Sequence, residues 1–402
     1  MGRTSVVVLF VAVAAACFGG DLFWPHVSKL HSTLTGTDQV VGLNPAFLTT
    51  EEKKRAAFDG PELRRKLGGQ VCLVTGANAG LGLETSRWLY KSGCQVIASG
   101  RRMKALIKAC DEITRTKSKG SCVPMELDLA KFSSIKAFAE SFKQRFHRLD
   151  VFVQNAGITF WKDRAITEDG IESMFQVNHL GHFYLTQLLD DVISQPNKHS
   201  TKIVMVSSAA HYGPVPAAGI YFDLDELNDE NNFDGYSFYG QSKLANVLFA
   251  QELSERINSQ QGRIAFVNAC GPGMTKTNVT EEFRIKIRNY VKDQPALKPL
   301  AEAFISVFDF IERQVTWTTA DGARTQLYLS MAHDVEIKNL TGKYYREYIM
   351  LAYNSNQKLI QLRIDPQAIE VQPSKFAQGE LGKAMQAKLW EFSESILRSK
   401  GL

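Results

Sequence analysis

From Gln70 onward, short apolar runs alternate with stretches of helical period, and this alternation restricts the chain more than any other feature. The runs at 70–75, 95–99, 121–127, 150–154, 202–207 and 264–268 have the length and composition of strands buried on both faces. Between the first four lie 81–91, 104–116 and 133–146, the last with Ile135, Phe138, Ala139 and Phe142 on one face. Strands joined through helices need crossover connections, so they run parallel and the helices cover both faces of the sheet. The expected fold is one α/β domain, 68–402: a single doubly wound parallel sheet with helices on both faces, with a substrate lobe at about 274–318.

An N-terminal hydrophobic segment precedes it. Arg3 is followed by an uncharged apolar run from Ser5 to Phe18, closed by Gly19, Gly20 and Asp21. A short basic start and an apolar core of this length read as a signal peptide or signal anchor over 1–24. The run falls short of the ~20 residues that cross a bilayer comfortably. Ala14, Ala15 and Ala16 offer small residues for cleavage, so retained anchor and cleaved signal both stay open. Residues 25–67 are polar and read as a linker arm. The expected location is membrane-associated, in the endoplasmic reticulum or another secretory compartment.

Composition removes several function classes. With 44% hydrophobic and 22% charged residues, the chain is neither disordered nor a bundle of membrane spans. A net charge of +5 without a Lys/Arg stripe gives no expectation of nucleic-acid binding. Six cysteines form no C-x-x-C, so zinc ribbons and thioredoxin-type sites are not expected. Their spacing fits reduced, buried thiols, with a lone disulfide left open. His179 and His182 lack the carboxylate companions of a metal pattern and are read as packing or surface residues, with no metal site expected.

The first strand runs into Thr75-Gly76-Ala77-Asn78-Ala79-Gly80-Leu81-Gly82, which opens the first helix. Glycine permits the tight turn and lets a phosphate approach the backbone, while the helix amides favour a pyrophosphate. Ser99-Gly100-Arg101-Arg102 follows the second strand, where an NAD site usually places a carboxylate. Two guanidinium groups there attract a ribose 2′-phosphate, so NADP(H) is the expected cofactor. Asp128-Leu129 follows the third strand, where the carboxylate can bond an adenine amino group or cap the next helix. Asn155-Ala156-Gly157 follows the fourth, with side chains small enough for an adenosine ribose to approach.

Tyr239 and Lys243 stand four apart in a helical stretch and share one face. A phenol with a pKa of about 10 becomes a usable acid or base when a neighbouring ammonium favours the phenolate. Ser207-Ser208 ends the fifth strand, at the carboxyl edge where open α/β sheets bind ligands. Either hydroxyl can hold a substrate oxygen. Asn178 lies in a long helical stretch, from which it can organise water leading to Lys243.

Together these motifs resemble the short-chain dehydrogenase/reductase family over about residues 68–350. Asn178-His179-Leu180-Gly181-His182-Phe183, Ser242 to Asn246, Thr341 to Tyr345 and Leu389 to Glu394 are similar to its retinol dehydrogenase and WW-domain oxidoreductase branch. The resemblance implies a Rossmann-type sheet and an Asn178-Ser208-Tyr239-Lys243 catalytic tetrad, with Ser208 rather than Ser207 at the family position. It implies that Lys243 and Tyr239 also meet the nicotinamide ribose, and that Pro272, Gly273, Thr275 and Thr277 belong to the carboxamide-binding segment. Gln154 departs from the Asn common in the family, and Cys270-Gly271 from the His common in the branch.

The reading is an NADP(H)-dependent oxidoreductase acting on a small lipophilic carbonyl or alcohol, retinoid-, steroid- or fatty-aldehyde-like. Alternatives are reduction of a conjugated C=C, as in a protochlorophyllide-type pigment, and a non-catalytic NADP-sensing scaffold. Residues 283–292 alternate apolar and basic side chains, either as a lid touching a membrane or as a helix with a solvated charged face. The expected partners are the lipophilic substrate and a membrane met through the N-terminal segment, with association between copies of the chain left open.

Overall fold

The computed structural model describes residues 65–159, 164–273, 318–353 and 359–402, together with parts of 275–315. The segment 1–24, nearly all of 25–67, and Thr277 lie outside the described residues. Among the described residues, no helix is long and apolar enough to cross a membrane.

The chain alternates as the periodicity requires: β1 (Val71–Thr75), α1 (Gly80–Lys91), β2 (Gln95–Gly100), α2 (Met103–Thr114), β3 (Ser121–Glu126), α3 (Phe132–Arg145) and β4 (Val151–Gln154). The second half holds α4 (Gly181–Leu188), β5 (Thr201–Val206), α5 (Gly235–Asn258), β6 (Ala265–Gly271), α6 (Lys298–Val315), α7 (Arg324–Met331), β7 (Tyr344–Tyr353), β8 (Leu359–Glu370) and α8 (Gly379–Ser399). One sheet has the order β3-β2-β1-β4-β5-β6-β7-β8. The order reverses direction between β1 and β4, the switch point at which doubly wound sheets bind ligands.

Alternation along each strand divides the core between the two faces. Leu73, Phe152, Ile203 and Met205 point to one side, with Phe183, Phe249 and Phe392 from α4, α5 and α8. Cys72, Val74, Val153, Val204 and Val206 point to the other, with Leu89, Leu106 and Leu327 from α1, α2 and α7. Every residue of β1, β5 and β6 is buried, which is why these strands read as apolar runs without a polar face.

The expected doubly wound parallel sheet is present over seven strands, and β8 adds an edge strand that returns antiparallel along β7 from Tyr345↔Glu370 to Tyr353↔Leu359. The six apolar runs carried no sign of this edge pair. Two expectations are corrected. Four of the cysteines expected as thiols are joined in two pairs, Cys72–Cys94 and Cys110–Cys122, whose Cα atoms lie 6.2 and 5.4 Å apart. The pairing of β1 with β2 brings Cys72 close to Cys94, and the packing of α2 on β3 brings Cys110 close to Cys122, which spacing along the chain does not reveal. Cys270 stays free and buried. The helical stretch holding Asn178 is not regular: a turn at Ser173–Phe175 passes into a π turn at Gln176–Leu180, where the Gly181 amide reaches back to the Gln176 carbonyl, before α4 begins. In the 283–292 segment, Arg288 and Lys292 are exposed and Val291 is buried, whereas Arg284 is buried and paired with Asp309 at 2.7 Å and Ile285 is exposed.

Candidate active site

At the end of β1 the chain turns through Gly76 (φ 67°) and Gly80 (φ 57°), a left-handed conformation that favours glycine. Gly82 is held by contact instead: a Cβ there would lie 2.4 Å from the Gly76 carbonyl oxygen and 2.6 Å from Asn155 Nδ2. The start of α1 therefore sits directly on the turn. Its N-cap, Ala79, brings no side-chain acceptor to the first amides of the helix. Leu81 lies next to Gly322 and Thr275, since a Cβ on Gly322 would come within 2.5 Å of Thr275 Oγ1 and 3.0 Å of Leu81 Cδ2. Thr275 Oγ1 donates to the Pro272 carbonyl at 3.0 Å, and Gly273 turns with φ 69°. Thr275 thereby stands beside the same helix start.

Thr75 locks this cradle to β4. Its Oγ1 accepts from the Asn155 and Ala156 amides, both at 2.9 Å, while Asn155 Nδ2 donates to the Thr75 carbonyl at 2.9 Å. Asn78 sits against the end of β2, its Oδ1 3.1 Å from where a Cβ on Gly100 would stand. Arg101 and Arg102 follow, both exposed, and among the described residues neither enters an ion pair. Arg102 is also the N-cap residue of α2, without a side-chain cap bond. Asp128 closes its own turn by accepting from the Ala130 amide at 3.0 Å. It does not cap α3, whose first amide, that of Phe132, donates to Asp169. Leu129 is buried behind it. Of the two roles open to Asp128, helix capping is therefore excluded.

A dinucleotide fits these residues. The turn brings backbone within reach of a diphosphate, the uncapped helix start offers amides, and the end of β2 offers guanidinium groups without a carboxylate.

The tetrad converges one strand further on. Asn178 is fully buried in the π turn. Its Oδ1 accepts from the Ile158 amide at 2.7 Å, and its Nδ2 donates to the Ile158 carbonyl at 3.0 Å and to Ser242 Oγ at 2.9 Å. Ser242 Oγ in turn donates to the Tyr239 carbonyl at 2.8 Å, so Asn178 is tied to the first turns of α5. That part of α5 packs closely on the turn after β5: a Cβ on Gly240 would lie 2.1 Å from the Pro214 carbonyl oxygen.

Ser208 stands just past β5 and hydrogen-bonds the Tyr239 phenol, an interaction that favours the phenolate. Ser207 points elsewhere, donating to the Lys243 carbonyl at 2.7 Å, so the structure separates two serines that residue type alone left equivalent. Lys243 Nζ donates to the Val206 carbonyl at 3.0 Å and lies 5.6 Å from the centre of the Tyr239 ring. Gly157 sits over both Lys243 and Asn178, since a Cβ on it would be 3.2 Å from Nζ and 3.2 Å from Oδ1.

The electrostatics correct a further expectation. Burial pushes the Tyr239 phenol above its ordinary value, with the Ser208 hydrogen bond acting against it. Burial also lowers Lys243 to about 8, opposed by nearby Cys270. The ammonium is turned to the Val206 carbonyl rather than to the phenol oxygen, so in this structure it does not overcome the desolvation of Tyr239. At neutral pH Tyr239 is therefore a neutral phenol and Lys243 still mostly an ammonium.

Sequence reasoning did not single out the Thr75 hydroxyl, Ser242, or the carbonyls of Val206 and Ile158. A threonine ending β1 and a serine beside Lys243 were visible signals. The backbone partners had none. Gln154, the departure from the family pattern, is buried and donates to Thr186 at 2.8 Å, so it stays within the core. No cluster of three His, Cys, Asp or Glu suited to a metal occurs among the described residues.

Comparison with known proteins agrees with this geometry. The short chain dehydrogenase family profile matches residues 70–222. Human retinol dehydrogenase 14 (Homo sapiens) is 33% identical over 310 residues, covering 72% of this chain and 83% of its own. The WW domain-containing oxidoreductase of Gallus gallus is 30% identical over 362 residues, covering 89% of this chain and 75% of its own. A crystal structure of an uncharacterised protein from Mycobacterium paratuberculosis superposes with a TM-score of 0.56 at 27% identity, covering 83% of this chain and 95% of that one. The fold and site define a nicotinamide-dinucleotide oxidoreductase class. The chain belongs to the short-chain dehydrogenase/reductase family, in the branch that holds the retinol dehydrogenases and WW domain-containing oxidoreductases.

Proposed function

We propose that this chain is an NADP(H)-dependent oxidoreductase that interconverts a lipophilic carbonyl compound and its alcohol. The observation that carries the reading is the meeting of Ser208, Tyr239, Lys243 and Asn178 beneath Gly157, at the edge of a dinucleotide cradle. A nicotinamide dinucleotide, when bound, supplies or accepts the hydride. Gly76, Asn78, Ala79, Gly80, Leu81 and Gly82 would hold its diphosphate, and Asn155, Ala156 and Gly157 its adenosine side. Arg101 and Arg102 would hold a 2′-phosphate. In the reducing direction the Tyr239 hydroxyl gives its proton to the carbonyl oxygen, and Ser208 holds that oxygen and steadies the phenolate left behind. Lys243 supplies positive charge beside the phenolate, and Asn178 keeps the start of α5 in place. Oxidation of the alcohol reverses each proton movement.

Two observations support a lipophilic substrate. The turn after Ser208 presents one exposed aromatic ring, Tyr212, which rests 4.0 Å from the buried His211 ring, itself 4.5 Å from the buried Tyr344 ring. A relative sharing 33% of its residues is a retinol dehydrogenase by name. A membrane-associated location, met through 1–24, suits such a substrate. A panel of long-chain and small polar aldehydes, assayed with NADPH and with NADH, tests the reading. Faster turnover of the long-chain members with NADPH is expected. Equal rates with both cofactors overturn the cofactor assignment, and equal rates on small polar aldehydes overturn the substrate class.

A further inference from the structure

His182 lies on α4, one turn beyond Asn178, and is almost completely buried. Both its ring nitrogens are engaged. Nε2 lies 2.9 Å from Thr75 Oγ1, and Nδ1 lies 3.2 Å from the Asn178 carbonyl oxygen. The first contact reaches the residue that locks the dinucleotide cradle to β4. The second reaches the backbone of the residue that ties the π turn to α5.

Hydrogen-bond accounting assigns the direction of both contacts. A threonine hydroxyl has two acceptor sites and one proton. The acceptor sites of Thr75 Oγ1 are filled by the Asn155 and Ala156 amides, both at 2.9 Å. Its proton then goes to His182 Nε2 at 2.9 Å in preference to the Val153 carbonyl at 3.5 Å. Nε2 is therefore the bare nitrogen, and Nδ1 carries the hydrogen that the Asn178 carbonyl accepts. An imidazolium would set an Nε2–H against a hydroxyl with no acceptor site left. It would also place a second positive charge near Lys243, which, after burial, is a cause of the lowering of His182 to about 3.

We propose that His182 is a positioning residue: through one imidazole tautomer it links the dinucleotide cradle at Thr75 to the turn that carries Asn178. The chain of contacts runs from the Asn155 and Ala156 amides through Thr75 and His182 to Asn178, and from the Asn178 side chain through Ser242 to the Tyr239 backbone. It connects the cofactor side of the cleft to the proton-donating side, and its central links, from Thr75 through His182 and Asn178 to Ser242, are buried. A phenylalanine or leucine would fill the space but break the link at both ends.

The test separates the two ends. Asn places an amide nitrogen at the same bond count from Cβ as Nδ1, and Gln places an amide oxygen at the same count as Nε2. His182→Asn keeps the donor to Asn178, and His182→Gln keeps the acceptor for Thr75. His182→Leu keeps neither. NADPH affinity is read by fluorescence titration, and kcat and KM on an aldehyde substrate by absorbance. Relative to the unsubstituted protein, His182→Asn is expected to hold kcat and weaken NADPH binding about five- to tenfold, the size of one lost hydrogen bond. His182→Gln is expected to hold NADPH affinity and lower kcat by about the same factor, with the aldehyde KM unchanged. His182→Leu loses both. Wild-type behaviour of all three folded variants, or parallel loss of kcat, affinity and melting temperature in all three, overturns the proposal.

The turnover arm rests on the oxidoreductase reading above, so a second measurement stands apart from it. In protein labelled with 15N-histidine, the resonances absent from His182→Asn identify this ring among the eight histidines. They are expected to show a neutral ring with Nδ1 protonated across about pH 5 to 8. A protonated Nε2 overturns the proposal whatever the substrate. The expected tautomer in a protein that reduces no carbonyl would leave the inference standing and the oxidoreductase reading overturned.

Discussion

Lys243 donates its ammonium hydrogen to the carbonyl of Val206 at 3.0 Å, across the end of β5, and not to the phenol four residues before it on α5. The last residue of a buried strand thus sets where the cation stands. Gly157, at the end of the neighbouring strand, sets how much room it has. The proton chemistry of Tyr239 depends on this arrangement as much as on the spacing of the two residues along the helix.

Gly157→Ala should damage turnover more than stability. The new Cβ would stand 3.2 Å from Lys243 Nζ and 3.2 Å from Asn178 Oδ1, so one of the two polar groups must shift by a few tenths of an ångström. A displaced catalytic group costs about tenfold or more in kcat. Steady-state kinetics beside a melting curve check this, with a melting temperature close to that of the unsubstituted protein expected.

Tyr239→Phe should reduce turnover by about 10²- to 10⁴-fold, the usual worth of a positioned general acid. NADPH affinity should change little. Carbonyl reduction by the intact protein should decline above about pH 8, because burial has lowered Lys243 to about that value and the amine then loses the charge that steadies the phenolate. A kcat profile across neutral and alkaline pH measures it.

Arg101→Ala and Arg102→Ala should each raise the KM for NADPH by about tenfold and leave that for NADH nearly unchanged, since a charge-assisted bond to a 2′-phosphate is worth about 1.5–3 kcal/mol. The ratio of the two KM values is the readout. Both side chains are exposed, so the melting temperature should not move.

The protein should lose stability as pH falls below about 6.5. Burial lowers His179 and His182 to about 3 and His211 to about 4, so all three stay neutral in the fold while the unfolded chain takes up protons from about pH 6.5 downward. More protons bind the unfolded state in that window, and each such group removes at most about 1.4 kcal/mol of stability per pH unit. Urea melts at a series of pH values measure the slope. His179→Phe should make it shallower, as this ring already lies among Phe175, Phe183 and Phe249.

Peptide mapping without reductant should recover Cys72 joined to Cys94 and Cys110 joined to Cys122, with Cys270 as a thiol. Loops of these lengths, 22 and 12 residues, correspond to about 3 kcal/mol each in the chain-entropy account. Addition of reductant should lower the melting temperature.

Much of the fold and of the site was legible before any coordinates. Six of the eight strands announced themselves as apolar runs, five of them (β1, β2, β4, β5 and β6) because an inner strand covered on both faces has no polar side to show. The edge strand β3 was legible although partly exposed, while β7 and β8 at the other edge were not read. The glycine turn was legible because its residues are consecutive. Tyr239 and Lys243 were legible because helical period brings neighbours four apart to one face. The π turn at Asn178 was not, since one extra residue per turn leaves no periodic mark over five residues.

Residue order along the chain was enough to define the alternating α/β architecture, the cradle after β1 and the Tyr239–Lys243 pair, because each follows from local spacing and hydrophobic period, while the family resemblance added Asn178 and Ser208. Contacts between residues far apart were settled by the tertiary structure: which serine meets the phenol, which carbonyl holds Lys243, which cysteines pair, and what lies on either side of His182. The reason is geometric. A parallel sheet sets side by side residues separated by a whole crossover, so their distances and the burial that shifts their protons exist only once the strands are in register.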